Sequence, residues 1–264
     1  MVNLLKTDIC KLIIYPKKSL GQNFLINRGV LKKIILAADL KEGDIVVEVG
    51  PGTGNLTKEL AKIAKNVVAI EKDRGLIPVL KEGLRDYNNV EIIQEDVLKI
   101  DGANLLRYCA NTYKLVGNIP YYITSYLLKT IFEKWPMPER IVLMVQKEVA
   151  QRIVAKPPKM NLLALSVQFY AEPKIISYVS RGSFRPMPKV DSAIIRLMPK
   201  NENYRTDPLL RYNLFKLIRT AFAGKRKQLK NTIGLEGLNK SGIKPEARPE
   251  ELFLKDWIKI VSRV

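Results

Sequence analysis

The chain has 264 residues and no histidine. That absence removes Ser-His-Asp and Cys-His catalysis, the H-E-x-x-H metal helix and histidine-bearing zinc fingers together. Cysteine is almost as scarce: Cys10 and Cys109 stand far apart and form no C-x-x-C pair. Neither a disulfide framework nor a thiolate metal site is expected, and a reducing compartment suits this usage. No apolar run approaches the roughly 18 residues that a membrane span needs. Lys6, Asp8 and Lys11 interrupt the stretch from Met1 to Ile14, which does not read as a signal peptide. A cytoplasmic location without membrane or metal is therefore expected. Acidic residues are also outnumbered, 26 against 45 basic ones, for a net charge of +19. An excess of that size points to a polyanionic partner, either nucleic acid or an anionic membrane surface.

Apolar content is ordinary, enough for one large α/β domain and a smaller one. The stretch Ile45-Val46-Val47-Glu48-Val49-Gly50-Pro51-Gly52-Thr53-Gly54-Asn55 organises the first of these. An apolar run ends in glycines at alternate positions, and Leu56, Leu60, Ile63 and Ala64 then resume helical spacing. The pattern predicts strand, tight turn and helix, a place where α/β sheets bind nucleotides. Asn55 breaks the dinucleotide pattern G-x-G-x-x-G, and no Gly-Lys-Ser/Thr follows as a P-loop would require. What remains, E-x-G-x-G-x-G, is similar to the first motif of S-adenosylmethionine-dependent methyltransferases. A plain packing turn is the competing reading.

Upstream, PKKSLGQNFLIN (Pro16 to Asn27) begins with Lys17 and Lys18, whose charge suits phosphate. Gln22, Asn23, Phe24 and Leu25 then either cover a ligand or form an arm packed on the core, with Asn23 capping the next helix. Downstream, the strand Asn66 to Glu71 ends in an acid about 20 residues beyond the glycines, where nucleotide folds hold ribose hydroxyls. The competing role for Glu71 is a surface carboxylate paired with Lys72. Asp96 follows a third strand, from Val90, and stands where it can accept from an adenine amino group.

A fourth strand, Tyr113 to Val116, runs into Gly117-Asn118-Ile119-Pro120-Tyr121-Tyr122. N-I-P-Y is similar to the catalytic motif of amino-methylating enzymes. The exocyclic amine of adenine is a poor nucleophile because its lone pair is delocalised into the ring. An Asn side-chain oxygen and a carbonyl held by the following Pro120 can accept its hydrogens and localise that lone pair, with no histidine base. Tyr121 offers a flat face for the base to stack on. Strand Arg140 to Gln146 comes next, then helical spacing broken at Lys156-Pro157-Pro158-Lys159. Strands Lys174 to Val179 and Ser192 to Met198 follow without an intervening helix, so the sheet is expected to end in an antiparallel strand. Between them Phe184 reads either as a second stacking surface or as an aromatic plug under a loop.

From Lys200 on, 15 basic residues face 7 acidic ones. Leu209 to Phe222 is helical in pattern, Ala223 to Lys230 is the densest basic run, and Gly234 and Gly237 read as turns. The expected division is residues 1–199 for an α/β domain and 200–264 for a small helical domain with a basic, phosphate-binding face.

Taken together, GQNFL (Gly21 to Leu25), EVGPGTG (Glu48 to Gly54), Glu71, QEDVL (Gln94 to Leu98) and GNIPY (Gly117 to Tyr121) resemble the ribosomal RNA small-subunit adenine dimethyltransferase family. FRPMPKVDSAIIRL (Phe184 to Leu197) and FAGKRKQLKN (Phe222 to Asn231) extend the resemblance over nearly the whole chain. It implies a Rossmann-like α/β methyltransferase sheet, mostly parallel with an antiparallel last strand, and a C-terminal helical rRNA-binding domain. It implies S-adenosyl-L-methionine as cofactor, held by Asn23, Leu25, Gly50, Gly52, Glu71, Asp96, Val97 and Asn118. Catalytic roles fall on Asn118, Pro120, Tyr121 and Phe184, with no metal. The implied substrate is two adjacent adenosines near the 3′ end of small-subunit rRNA, within a partly assembled subunit, and the enzyme is expected to act as a monomer. Macrolide-resistance methyltransferases of large-subunit rRNA share Q-N-F and N-I-P-Y and are the nearest alternative. A non-catalytic assembly factor of the same fold is another.

Overall fold

The computed structural model describes residues 5–6, 13–109, 112–200, 207–224 and 226–263. Asp8, Cys10 and Lys11, all named above, lie outside them, as does position 225 of the basic run. The chain divides into two compact units: Met1–Ala150 with Lys174–Pro199, and Gln151–Pro173 with Lys200–Val264. The second unit therefore also takes the segment 151–173, which the sequence reading assigned to the α/β domain.

The first unit is built on strands β1 (Ile45–Val49), β2 (Asn66–Glu71), β3 (Val90–Gln94), β4 (Lys114–Asn118), β5 (Arg140–Gln146), β6 (Ala171–Val179) and β7 (Ser192–Pro199). They form one sheet in the order β3-β2-β1-β4-β5-β7-β6. The pairs β1–β2, β1–β4, β2–β3 and β4–β5 are parallel, and β7 runs antiparallel to β5 with Ser192 opposite Gln146. The expected mostly parallel sheet with an antiparallel last strand is what forms. The central strands read IVVEV and RIVLMVQ because both of their faces are covered, so side chains on either side are apolar.

Helices α1 (Arg28–Ala38), α2 (Asn55–Ala61), α3 (Ile77–Gly83), α4 (Gly102–Tyr108) and α5 (Thr124–Lys134) accompany the strands. Asn27, not Asn23, caps α1, its side chain accepting from the Gly29 and Val30 amides. A core cluster joins Leu31, Ile34 and Ala38 of α1 to Val46, Val116, Val142 and Met144 of the sheet. The reversal in strand order falls at β1, which lies between β2 and β4 and runs parallel to both. There the chain leaves to opposite sides and opens a crevice at the carboxyl ends of the strands. Gly117 permits the close approach of β4 to β1: a Cβ there would stand 2.8 Å from the Val49 carbonyl oxygen.

The second unit contains α7 (Leu162–Tyr170), α8 (Pro208–Ala223), α9 (Glu236–Ser241) and α10 (Leu254–Val261), while α6 (Lys147–Ile153) crosses the boundary in the chain. Asp207 caps α8 through the Leu209 and Leu210 amides, with Pro208 pre-set at the first helical position. Trp257, Leu214, Ile218, Leu238 and Ile260 are buried at its centre, and the Phe222 ring lies 6.2 Å from that of Trp257. In the basic run Leu229 is buried while Arg226, Lys227 and Lys230 are exposed, so one apolar anchor holds a charged loop outward. Gly237 is buried inside α9 and makes no turn. A helix of six residues is too short to show its period in sequence.

Candidate active site

The crevice is walled by four pieces of chain that the sheet brings together. These are the arm from Leu20 to Leu25, the glycine turn after β1, the ends of β2 and β3, and the Asn118 loop after β4. Asn23, Leu25, Gly50, Gly52, Glu71, Asp96, Val97, Asn118, Pro120 and Tyr121 all line it. These separated motifs converge because β1, β2 and β4 are neighbours and β3 lies next to β2, all parallel, so their carboxyl ends share one edge.

Glu71, Asp96 and Asn118 are each held by neighbours within the protein. Glu71 Oε2 accepts from the Gly52 amide at 3.2 Å and Oε1 from the Asp73 amide at 2.7 Å. Burial raises the Glu71 carboxyl above its ordinary pKa, against the pull of the Asp73 and Gly52 amides. Glu71 is buried, and Lys72 pairs instead with Asp96 at 2.9 Å, so the surface-pair reading of Glu71 fails. Burial would raise Asp96 too, but the Lys72 ammonium and the Leu98 amide hold it below its ordinary value. Two carboxyls at adjacent strand ends thus have opposite tendencies: Asp96 ionises readily, and Glu71 less so.

The glycine turn is a close approach to the arm. Gly52 has φ of +59°, and a Cβ there would meet the Phe24 ring at 2.9 Å. Asn55, at the first position of α2, donates to the Leu25 carbonyl at 3.0 Å, tying arm to turn a second time. Leu25 pairs with Phe184 and Phe24 with Arg185 in a two-residue antiparallel ladder.

On the opposite wall, Asn118 Nδ2 donates to the Asn23 carbonyl at 3.0 Å. That bond fixes the amide orientation, so Oδ1 is the end left to accept from a ligand. Tyr121 is half-buried, with its hydroxyl 2.6 Å from Ser192 Oγ; burial pushes the phenol pKa up and the Ser192 bond opposes it. Its ring is thereby fixed as a neutral plane beside Asn118.

Phe184 departs from expectation. It is 2 % exposed and packs in the core cluster with Leu25, Val116, Met144 and Ile194, away from the crevice walls. Its apolar neighbours enclose the ring, so the plug reading describes this structure and a stacking face is not presented. Lys17 also departs: its ammonium pairs with Asp73 at 2.6 Å rather than standing free for phosphate.

Two crevice residues, Glu48 and Tyr122, and one neighbour that holds the arm, Asp73, escaped the sequence reading. Glu48 lies in the crevice wall only 1 % exposed, with Oε2 buried and the Thr57 hydroxyl near it but without a well-formed hydrogen bond between them. Burial pushes its carboxyl up to about 8; the Thr57 hydroxyl opposes this and the Glu71 charge adds to it. Asp73, buried just past β2, accepts from Lys17 Nζ, Gln22 Nε2 at 2.7 Å and the Gly75 amide at 2.9 Å. Tyr122 stands at the crevice mouth. The acid opening E-x-G-x-G-x-G could have flagged Glu48; no pattern marks Asp73.

A family model described as ribosomal RNA adenine dimethylase matches residues 15–264. The chain is similar to "Ribosomal RNA small subunit methyltransferase A" of Dehalococcoides mccartyi (strain CBDB1), with 44% identity over 92% of this chain and 87% of that protein. The protein of the same name from Levilactobacillus brevis is 43% identical over 94% of this chain and 90% of its own length. Among solved structures, a dimethyladenosine transferase from Plasmodium falciparum superposes with a TM-score of 0.74 at 30% identity, covering 90% of this chain and 95% of that one. The 23S rRNA methyltransferase ErmE superposes with a TM-score of 0.75 at 27% identity, covering 91% and 99%.

Proposed function

Because the chain belongs to the ribosomal RNA adenine dimethylase family, we propose that its crevice methylates the N6 amines of two adjacent adenosines near the 3′ end of small-subunit rRNA. It is an rRNA adenine dimethyltransferase; S-adenosylmethionine as methyl donor, the two adjacent adenosines and the partly assembled subunit are our reading. Work as a monomer in the cytoplasm belongs to the same reading. Among the described residues no helix is long and apolar enough to cross a membrane.

The crevice suits that donor. Gly52 leaves no room for a side chain between turn and arm, so a ligand there meets backbone on one side. Glu71, preset by two amides, would take the ribose hydroxyls, and Asp96 the adenine amino group, with Val97 and Ile119 against the flat ring. The orphaned Glu48 Oε2 marks a polar position in the wall that a ligand or its water can satisfy. When bound, S-adenosylmethionine supplies a methyl group activated by the positive charge on its sulfur.

The observation that carries the reading is the Asn118 amide, locked by Asn23 with its oxygen free to accept. Asn118 Oδ1 and the Ile119 carbonyl accept the hydrogens of the adenine amine, two in the first transfer and one in the second, which turns its lone pair toward the methyl. Each transfer sheds one of those protons to solvent. Pro120 keeps that carbonyl in place, and Tyr121 stacks on the base, a contact worth about 1–3 kcal/mol. Water displaced by a bound substrate strengthens each of these polar contacts.

The test is methylation of purified small subunits with labelled methyl donor, followed by mapping of the modified bases. Dimethyladenosine at two adjacent positions near the 3′ end is expected. Label on large-subunit rRNA alone would favour the reading suggested by the ErmE likeness.

A further inference from the structure

Helix α5 begins directly after the Asn118 loop, and its two faces differ sharply. Thr124, Leu127, Leu128, Thr130, Ile131 and Phe132 are buried against the fold. The solvent face carries Tyr122 just ahead of the helix, then Ser125, Tyr126 and Lys129. Tyr122, in the 3-10 turn Tyr121–Ile123 that leads into α5, is 56 % exposed, and Tyr126, in the first turn of the helix, is 68 % exposed. Among the described residues neither ring has an aromatic, cation–π or hydrogen-bonded partner. Folding gains little from two large aromatic rings in water, so their place calls for another cause. The Tyr122 ring lies against the arm: a Cβ on Gly21 would sit 3.4 Å from it. It lines the crevice mouth as well, which makes the pair continuous with the site.

We propose that Tyr122 and Tyr126 form a stacking platform for the unpaired nucleotides that flank the target adenosine. This rests on the methyltransferase reading and names a further part of its substrate contact. For the amine to reach Asn118, the adenosine must leave its stack, and each flanking base then loses a neighbour. Exposed aromatic faces at the mouth replace that neighbour, as they do wherever proteins hold single-stranded RNA. A base is the occupant favoured here because the surface begins at the base-binding crevice and the chain carries a net charge of +19. Lys129, one turn further along the same face and only loosely paired with Glu133 at 4.0 Å, can follow the phosphate backbone.

The test uses the full-length enzyme, S-adenosylmethionine and purified small subunits. Tyr126→Ala should raise KM for subunits about tenfold, within the range of one lost stack, with kcat and the KM for S-adenosylmethionine unchanged. Tyr126→Phe should restore wild-type KM, since the ring and not the hydroxyl does the stacking, and Tyr126→Leu should not. A photo-crosslinking residue at position 126 should mark a nucleotide adjacent to the modified adenosines. Wild-type KM in Tyr126→Ala, or a crosslink to a ribosomal protein, overturns the platform while leaving the enzyme reading intact. A wild-type protein that transfers no methyl to subunits overturns both.

Discussion

Asp73 is the residue whose removal should separate cofactor binding from chemistry. It touches neither reacting group, yet it closes the arm over the crevice. Its Oδ2 accepts from Gln22 at 2.7 Å, and its Oδ1 from the Gly75 amide at 2.9 Å and the Lys17 ammonium at 2.6 Å. Gln22 in turn accepts from the Lys17 amide at 2.7 Å, so residues 17 to 22 form one closed loop on the end of β2. In Asp73→Ala the charge-assisted Gln22 bond is lost at about 1.5 kcal/mol and the cap on Gly75 at about 1 kcal/mol. The Lys17 pair adds only about 0.5 kcal/mol, because that side chain is 52% exposed and screened by water. Rehydration of the freed groups returns part of this, leaving about 2 kcal/mol, or roughly 30-fold in the arm's closed-to-open ratio. Phe24 and Leu25 stay buried, so the change falls on the arm before the global fold. Calorimetry should show S-adenosylmethionine binding about 10- to 30-fold more weakly, with kcat at saturating cofactor within about twofold and faster hydrogen exchange at residues 17 to 22. An unchanged Kd, or a collapse of kcat at unchanged Kd, would refute the latch. Burial alone would raise the Asp73 pKa, but Lys17, Gln22 and the Gly75 amide depress it. The latch is therefore complete above the ordinary carboxylate range and opens only as pH falls below it.

Two further outcomes follow from the crevice walls. Burial pushes the Glu48 carboxyl up to about 8 from its ordinary 4.5, so between those values the unfolded chain ionises and the folded one does not. Stability on its account is complete below about 4.5 and is lost as pH rises toward 8; Glu48→Gln should raise Tm relative to wild type more at pH 8 than at pH 5. An equal difference at both pH values, read by differential scanning, would contradict a buried protonated carboxyl. Gly52→Ala places a Cβ 2.9 Å from the Phe24 ring at a φ of +59°. It should cost about 1–2 kcal/mol in backbone strain and more in displacement of the arm, with weakened cofactor binding; full affinity in that variant would sink the close-approach account.

How much of this was legible beforehand depended on whether the chemistry constrains local sequence. The glycine turn, Glu71 and the Asn118 loop were readable as parts of one crevice because tight turns and polar groups at strand ends demand particular residues at fixed spacing, and the structure does bring them together. The parallel sheet was readable from β-branched runs buried on both faces. Phe184 was not settled by sequence, since a ring between prolines and arginines suits a plug and a platform equally, and only its apolar surroundings decide. Segment 151–173 was misassigned because it continues the chain from α6 without a break in composition, while its packing is decided by distant residues such as Phe215 against Phe169. Lys17 looked like a phosphate ligand because its partner, Asp73, is 56 residues away. The buried Glu48 was hidden for the same reason: its state is set by what encloses it.

The measurement closest to the central claim is methyl transfer by Asn118→Ala on purified small subunits, with cofactor and subunit binding measured alongside. The arrangement of Asn118 and Asn23 predicts a loss of about 100- to 1000-fold in kcat, S-adenosylmethionine affinity within several-fold of wild type, and unchanged subunit binding. Methylation at the wild-type rate would contradict the assignment of Asn118 as the acceptor that activates the adenine amine.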